Sequence, residues 1–192
     1  FSHTICYILY KNSIINILKH LLRHIMKLTK DLNSLSETEF TSIFGSVFEK
    51  SKWIANEAFK QKPFKNSKDL IDKMIYIYNS SSKEKIIKIF NLHPKLAIEK
   101  KLTFFSSKEQ SGAQLDKCTK EELKEFEKLN IDYEKIFKFP FIIAVKGKSK
   151  NQILDNFRIR IKNNFEIEFE ETKSQVKKIA LFRLKEIFKN DI

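Results

Sequence analysis

Ser36-Glu37-Thr38-Glu39-Phe40-Thr41-Ser42-Ile43-Phe44-Gly45-Ser46-Val47-Phe48 is the stretch on which the fold turns. Ser36 and Glu39 have capping-box spacing, in which a hydroxyl and a carboxylate each satisfy an amide left free at a helix start. Phe40, Ile43, Phe44, Val47 and Phe48 then recur at three- and four-residue intervals, the period of one helix face. The stretch predicts an amphipathic helix reaching Phe48.

The same signature recurs along the chain after Phe48. Trp53 to Phe59 is helical in pattern and ends near Pro63, and Leu70, Ile71, Met74, Ile75 and Tyr78 share one side of the next segment. Ser80-Ser81-Ser82 interrupts the pattern, which resumes from Lys83 to Phe90. Thr119 with Glu122 opens a long charged helix towards Phe137, Ser149 with Gln152 caps another through Arg160, and Ile167 to Phe188 forms the last. Three Gly and three Pro in 192 residues leave little material for hairpins or Gly-rich phosphate loops. One stretch departs from the helical period: Phe139-Pro140-Phe141-Ile142-Ile143-Ala144-Val145 is short, apolar and β-branched, and is bounded by Pro140 and Gly147. The expected architecture is therefore all-α, a single-domain multi-helix bundle with one short extended buried segment at about 139–146. A 42% hydrophobic content is enough for one substantial core.

Composition removes several function classes. Cys6 and Cys118 lie far apart, which excludes a disulfide framework and zinc fingers with paired cysteines, and fits a reducing, cytoplasmic setting. The charge of +13 comes from 37 Lys+Arg against 24 Asp+Glu. Most of these cations are lysines dispersed among acidic residues on polar helix faces, with no basic stripe interleaved with aromatics, so a nucleic-acid module is not expected. Neither is a membrane span: the longest apolar run near the start, Ile5 to Tyr10, is six residues.

Residues 1–25 differ from the rest. They contain no acidic residue and carry His3, His20 and His24, three of the four histidines. Orderly amphipathic segments begin after Met26, so 1–25 read as a dispensable extension and 26–192 as the folded domain; a targeting role for 1–25 is the alternative. From Met26 onward His93 is the only histidine, which leaves no paired-His metal site, and neither a metal nor an organic cofactor is expected.

His93 precedes Pro94, which is well placed to open a short helix with His93 as its N-cap. A helix N-terminus disfavours imidazolium, so a proton-donating His93 needs a carboxylate partner, and Glu109 is the candidate. Ser106, Glu109, Gln110 and Ala113 fall at i, i+3, i+4 and i+7 and share a face suited to lining a pocket, although Ser106 with Glu109 also has the spacing of another cap. Arg183 is in register with Val176, Ile179, Ala180 and Ile187, so it starts from the inward side of the last helix; the alternative is a stem that reaches back to solvent.

Taken together, Glu49-Lys50-Ser51-Lys52-Trp53-Ile54-Ala55, Lys62-Pro63-Phe64, Leu92-His93-Pro94-Lys95-Leu96-Ala97, Leu102-Thr103 with Ser106 and Glu109-Gln110, Phe139 to Gly147, and Arg183-Leu184 resemble, in order and spacing, the 2-oxo-4-hydroxy-4-carboxy-5-ureidoimidazoline (OHCU) decarboxylases. The departures are Lys62 where Arg is usual, Lys52 where Pro commonly precedes Trp, Leu92 where Ala is common, and Lys138 where Gly is common. The resemblance implies cofactor-free decarboxylation of OHCU to (S)-allantoin in urate breakdown. It makes His93 the general acid with Glu109 orienting it. It gives Pro94, Ser106, Gln110, the backbone of Phe141, Ile142, Ile143, Ala144 and Val145, and Arg183 to substrate binding. A homodimer, and functional coupling to a uricase and a hydroxyisourate hydrolase, are the partner arrangements it suggests. An inactive helical interaction module and a basic nucleic-acid binder are the competing functions.

Overall fold

The computed structural model describes residues 32–98 and 102–189, so the readings for residues 1–25 lie outside it. Its described residues form eight α-helices: α1 Glu37–Phe44, α2 Lys52–Phe59, α3 Ser67–Asn79, α4 Lys83–Phe90, α5 Phe104–Gly112, α6 Lys120–Phe137, α7 Lys150–Arg160 and α8 Phe165–Ile187. A short 3-10 turn, Leu115–Lys117, follows α5, and the described residues contain no strand. None of these helices is long and apolar enough to cross a membrane.

Local chemistry sets the starts. Ser36/Glu39, Thr119/Glu122 and Ser149/Gln152 form reciprocal capping boxes, while Asn66, Ser82, Thr103 and Asn164 cap with the side chain alone. Each such cap contributes about 1 kcal/mol. Thr103, rather than Ser106, opens α5, so Ser106 and Glu109 sit inside the helix on one face and are not a cap of their own.

Two boundaries differ from expectation. Helix α1 stops at Phe44, where the Gly45 N–H donates to the Thr41 carbonyl. A Cβ at Gly45 would stand 2.4 Å from that carbonyl and 3.2 Å from Lys52 Cγ, so glycine is what lets the chain turn close to α2. Val47 and Phe48 are still buried, but from the turn rather than from a helix. Likewise no described helix begins at Pro94: Pro94 and Lys95 are irregular and 96–98 form a turn. The His93 N–H donates to the Phe90 carbonyl and completes the exit from α4, so His93 is not an N-cap.

Helix α8 is the spine. Phe169, Val176, Ile179, Ala180, Leu184 and Ile187 are buried along it, it packs against α3 and α4, and Tyr78 of α3 donates to the Lys173 carbonyl. Helices α1, α2 and α3 pack in succession, and α6 packs with α7. Phenylalanine fills the spaces between them: Phe44 stacks on Phe188, and Phe141 lies on Phe157 with ring centroids 3.9 Å apart. Fully burying a side chain of this size contributes about 1.5–3 kcal/mol relative to leaving it exposed. Lys138 ends α6 in the left-handed region at φ 64°, a position where glycine would carry no Cβ penalty.

Residues 139–145 then run extended and buried between α6 and α7. Side chains, not a partner strand, hold this backbone. Arg160 Nη1 donates to the Ile142 carbonyl at 2.8 Å and the Ala144 N–H donates to Gln175 Oε1 at 2.9 Å. Arg160 is itself buried, paired with Glu168 and seated 4.5 Å from the Phe141 ring centroid.

Candidate active site

Three elements converge on one small cavity of about 30 Å³: the His93–Leu96 turn, the inward face of α5, and the extended segment, with Ile179 and Arg183 of α8 closing it. Of the residues singled out in the sequence, His93, Pro94, Ser106, Glu109, Gln110, Phe141, Ile142, Ile143, Val145 and Arg183 line it. Ala144 does not; it lines an adjoining cavity of about 180 Å³ that shares Glu109, Val145, Ile179 and Arg183 with the first. Two of the extended backbone groups expected to meet a ligand, the Ile142 carbonyl and the Ala144 N–H, are instead held by Arg160 and Gln175.

The His93 turn is anchored on both sides. Gln110 Oε1 accepts from the Ala97 N–H at 3.0 Å, while Asn130 of α6 donates to the Leu96 carbonyl and Lys95 pairs with Glu134. His93 is 8% exposed and Gln110 7%. His93 Nε2 and Gln110 Nε2 are both buried without a hydrogen-bond partner among the described residues. An unpaired buried polar group costs about 1–3 kcal/mol, so two of them on the wall of one cavity mark where a ligand's polar atoms fit.

Arg183 is also buried, at 1% exposed, and does not reach back to solvent. Its Nε and Nη2 grip the two oxygens of Glu109, each at 2.7 Å, Nη1 bonds Glu49 at 3.0 Å, and Nη2 reaches Ser106 Oγ at 3.2 Å. Nη1 also donates to the Ser46 and Val47 carbonyls. The Glu109 carboxylate thus bonds Arg183 and not the His93 ring, which revises the pairing anticipated from the sequence: a planar guanidinium offers a carboxylate two parallel bonds where imidazole offers one. Ser106 Oγ is committed too, donating to Glu49 at 2.8 Å.

Burial pushes the His93 imidazole down to about 4, with Arg183 adding to the shift and Glu49 opposing it. His93 is therefore neutral near pH 7 rather than the imidazolium anticipated, because the loss of hydration and the nearby guanidinium both disfavour a second positive charge. Stability should register this. In the unfolded chain the ring titrates near 6.5, so the unfolded state binds the extra proton first, and stability is expected to fall by roughly 3 kcal/mol as pH drops from 6.5 through 4. Urea unfolding across that range checks it; equal slopes in the wild type and in His93→Asn would contradict it.

Glu49 was not among the candidates, although it begins one of the stretches that carried the resemblance. It is 1% exposed and sits at φ 55°. Arg160 and Gln175 were missed as well, and nothing in the spacing of residues around them marks their contacts. Among the described residues no group of three or more His, Cys, Asp and Glu side chains is placed to hold a metal ion.

The OHCU decarboxylase family model matches residues 33–185. The uric acid degradation bifunctional protein of Bacillus sp. (strain TB-90) is 39% identical over 160 residues, 83% of this chain but 32% of that protein, so the chain spans about a third of its length. The 2-oxo-4-hydroxy-4-carboxy-5-ureidoimidazoline decarboxylase of Haloferax volcanii is 30% identical over 162 residues, covering 84% of this chain and 96% of that one. Among solved structures, an (S)-allantoin synthase superposes with a TM-score of 0.68 at 29% identity, over 83% of this chain and 53% of that chain.

Proposed function

The chain belongs to the OHCU decarboxylase family, and from that premise we propose that it converts OHCU to (S)-allantoin and carbon dioxide without a metal or organic cofactor. The observation that carries this reading is the pair of buried, unpartnered nitrogens, His93 Nε2 and Gln110 Nε2, on residues that line one cavity together with the extended segment. Gln110 donates to a ring or ureido carbonyl, and the backbone of Phe141, Ile143 and Val145 meets the rest of the planar ligand.

The substrate's own groups define the proton traffic. Loss of carbon dioxide breaks the bond between C4 and the carboxylate. The freed pair becomes a C4–C5 double bond while the ring C5–N pair moves to nitrogen, which takes a proton. The 4-hydroxyl is then an enol, and moving its proton to C5 creates both the carbonyl and the stereocentre. His93, neutral at the outset, takes the enol proton and delivers one to C5 from its own face as a general base and then acid. Glu109, pinned by Arg183, holds N–H groups of the ligand, and Arg183 acts through Glu109 and Ser106. The reading includes functional coupling to a uricase and a hydroxyisourate hydrolase, which generate the substrate; the name of the bifunctional Bacillus relative supports a place in uric acid degradation.

Supplying the substrate by coupled urate oxidation and hydroxyisourate hydrolysis, in deuterated water after exhaustive chelation, tests the proposal. Optically active allantoin, followed by circular dichroism and carrying deuterium at its stereocentre, is expected. Racemic product formed at the spontaneous rate would overturn the decarboxylase reading, and activity recovered only with added zinc or manganese would overturn the cofactor-free one.

A further inference from the structure

Resting on the decarboxylase reading, we propose that Glu49 is a positioning residue of the reaction: from behind the cavity it holds Arg183 and Ser106 in place and balances the guanidinium charge, so that Glu109 and His93 face the substrate correctly.

The geometry is that of a hub built from the turn after α1. Glu49 Oε2 accepts from Arg183 Nη1 at 3.0 Å and from Ser106 Oγ at 2.8 Å, and Oε1 accepts from Thr103 Oγ1 at 2.7 Å. Thr103 is also the cap of α5, so one carboxylate ties the start of that helix to the last helix. The same turn wraps the guanidinium with the Ser46 and Val47 carbonyls. Glu49 takes up a left-handed backbone conformation, φ 55°, which costs a non-glycine residue free energy and persists where surrounding contacts over-determine it. It does not line the cavity, so it acts through its neighbours rather than on the substrate.

Charge explains why a second carboxylate is useful. Arg183 paired with Glu109 alone would be a strong anchor for the substrate's departing carboxylate, and tight ground-state binding there slows its loss. Sharing Arg183 between two carboxylates removes that anchor. It also tempers the cation beside His93, whose charged surroundings are Arg183 on α8, Glu49 on the turn after α1 and Glu109 on α5; the extended segment contributes none.

The test compares wild type, Glu49→Gln and Glu49→Asp in the coupled assay, with folding monitored by far-ultraviolet circular dichroism. Glu49→Gln should lower kcat on the order of ten- to a hundredfold without raising KM, because the substrate contacts survive while their alignment does not. Removing the anion disfavours imidazolium, so the acid limb of the kcat profile should move to lower pH. Glu49→Asp keeps the charge and tolerates the left-handed backbone, so its limb should stay in place while kcat falls. A folded Glu49→Gln enzyme with wild-type kcat and limb overturns the proposal. If that variant does not fold, Glu49→Asp decides in its place: folded with reduced kcat and unchanged KM supports it, wild-type kcat overturns it. Failure of both to fold assigns Glu49 to the fold alone and overturns it as well. Absence of turnover by the wild type sinks the decarboxylase reading itself, an outcome distinct from any of these.

Discussion

His93→Asn is expected to lower turnover by about a hundredfold or more while the helical fold persists, since a positioned acid–base group contributes on that scale and asparagine cannot carry a proton between oxygen and carbon. The substitution sits in a turn held by Gln110, Asn130 and Lys95 through other residues, so the cavity walls should stay in register. It should also flatten the acid dependence of stability between pH 6.5 and 4, because the group that takes up a proton on unfolding is gone. The rate is read in the coupled assay and the stability by urea unfolding. Near-normal turnover would remove His93 from the proton path. Glu109→Gln should impair the rate as well, with Arg183 still neutralised by Glu49.

Arg183→Met carries the largest expected effect on stability, a loss of about 3–5 kcal/mol, because it strands buried Glu49 without its cation and releases Glu109. The pH response should change sign with it. In the wild type, burial raises the Glu49 carboxyl, but Arg183, then His93, and then the Thr103 and Ser106 hydroxyls together more than offset this and leave it below its ordinary value. Its contribution is thus present above the ordinary carboxylate range and lost as pH falls through the depressed value. Without Arg183, burial dominates, the carboxyl rises, and acid should relieve the variant before it harms it. Equilibrium unfolding of Arg183→Met at pH 7 and pH 5 decides; a loss below about 1 kcal/mol at pH 7 would show that the network is not a unit. Adding Glu49→Gln to Arg183→Met should restore part of the stability, since it removes the stranded charge.

Much of the helical framework was legible because its signals are local. The capping boxes at Ser36, Thr119 and Ser149 and the three- and four-residue apolar spacings depend on side chains within a turn of one another. The β-branched run from Phe139 to Val145 was likewise readable as extended. The periodic pattern at Val47 and Phe48 reported burial correctly and helicity wrongly, because a turn can bury the same positions once Gly45 has let the chain bend. Pro94 permits a helix start without requiring one, and the turn's anchors to α5 and α6 took precedence.

By itself, then, the sequence determined most of the helical framework, the extended segment, and most but not all of the residues that line one cavity, Ala144 being the exception, since caps, periodicity and a family's spaced motifs are all written along the chain. Only the tertiary structure decided which groups pair within that cavity. Arg183 lies 74 residues from Glu109 and 134 from Glu49, so no spacing rule reaches their contacts. The neutral state of His93 has the same origin: it follows from burial and a guanidinium delivered by the last helix, quantities that exist only once distant segments have excluded water together.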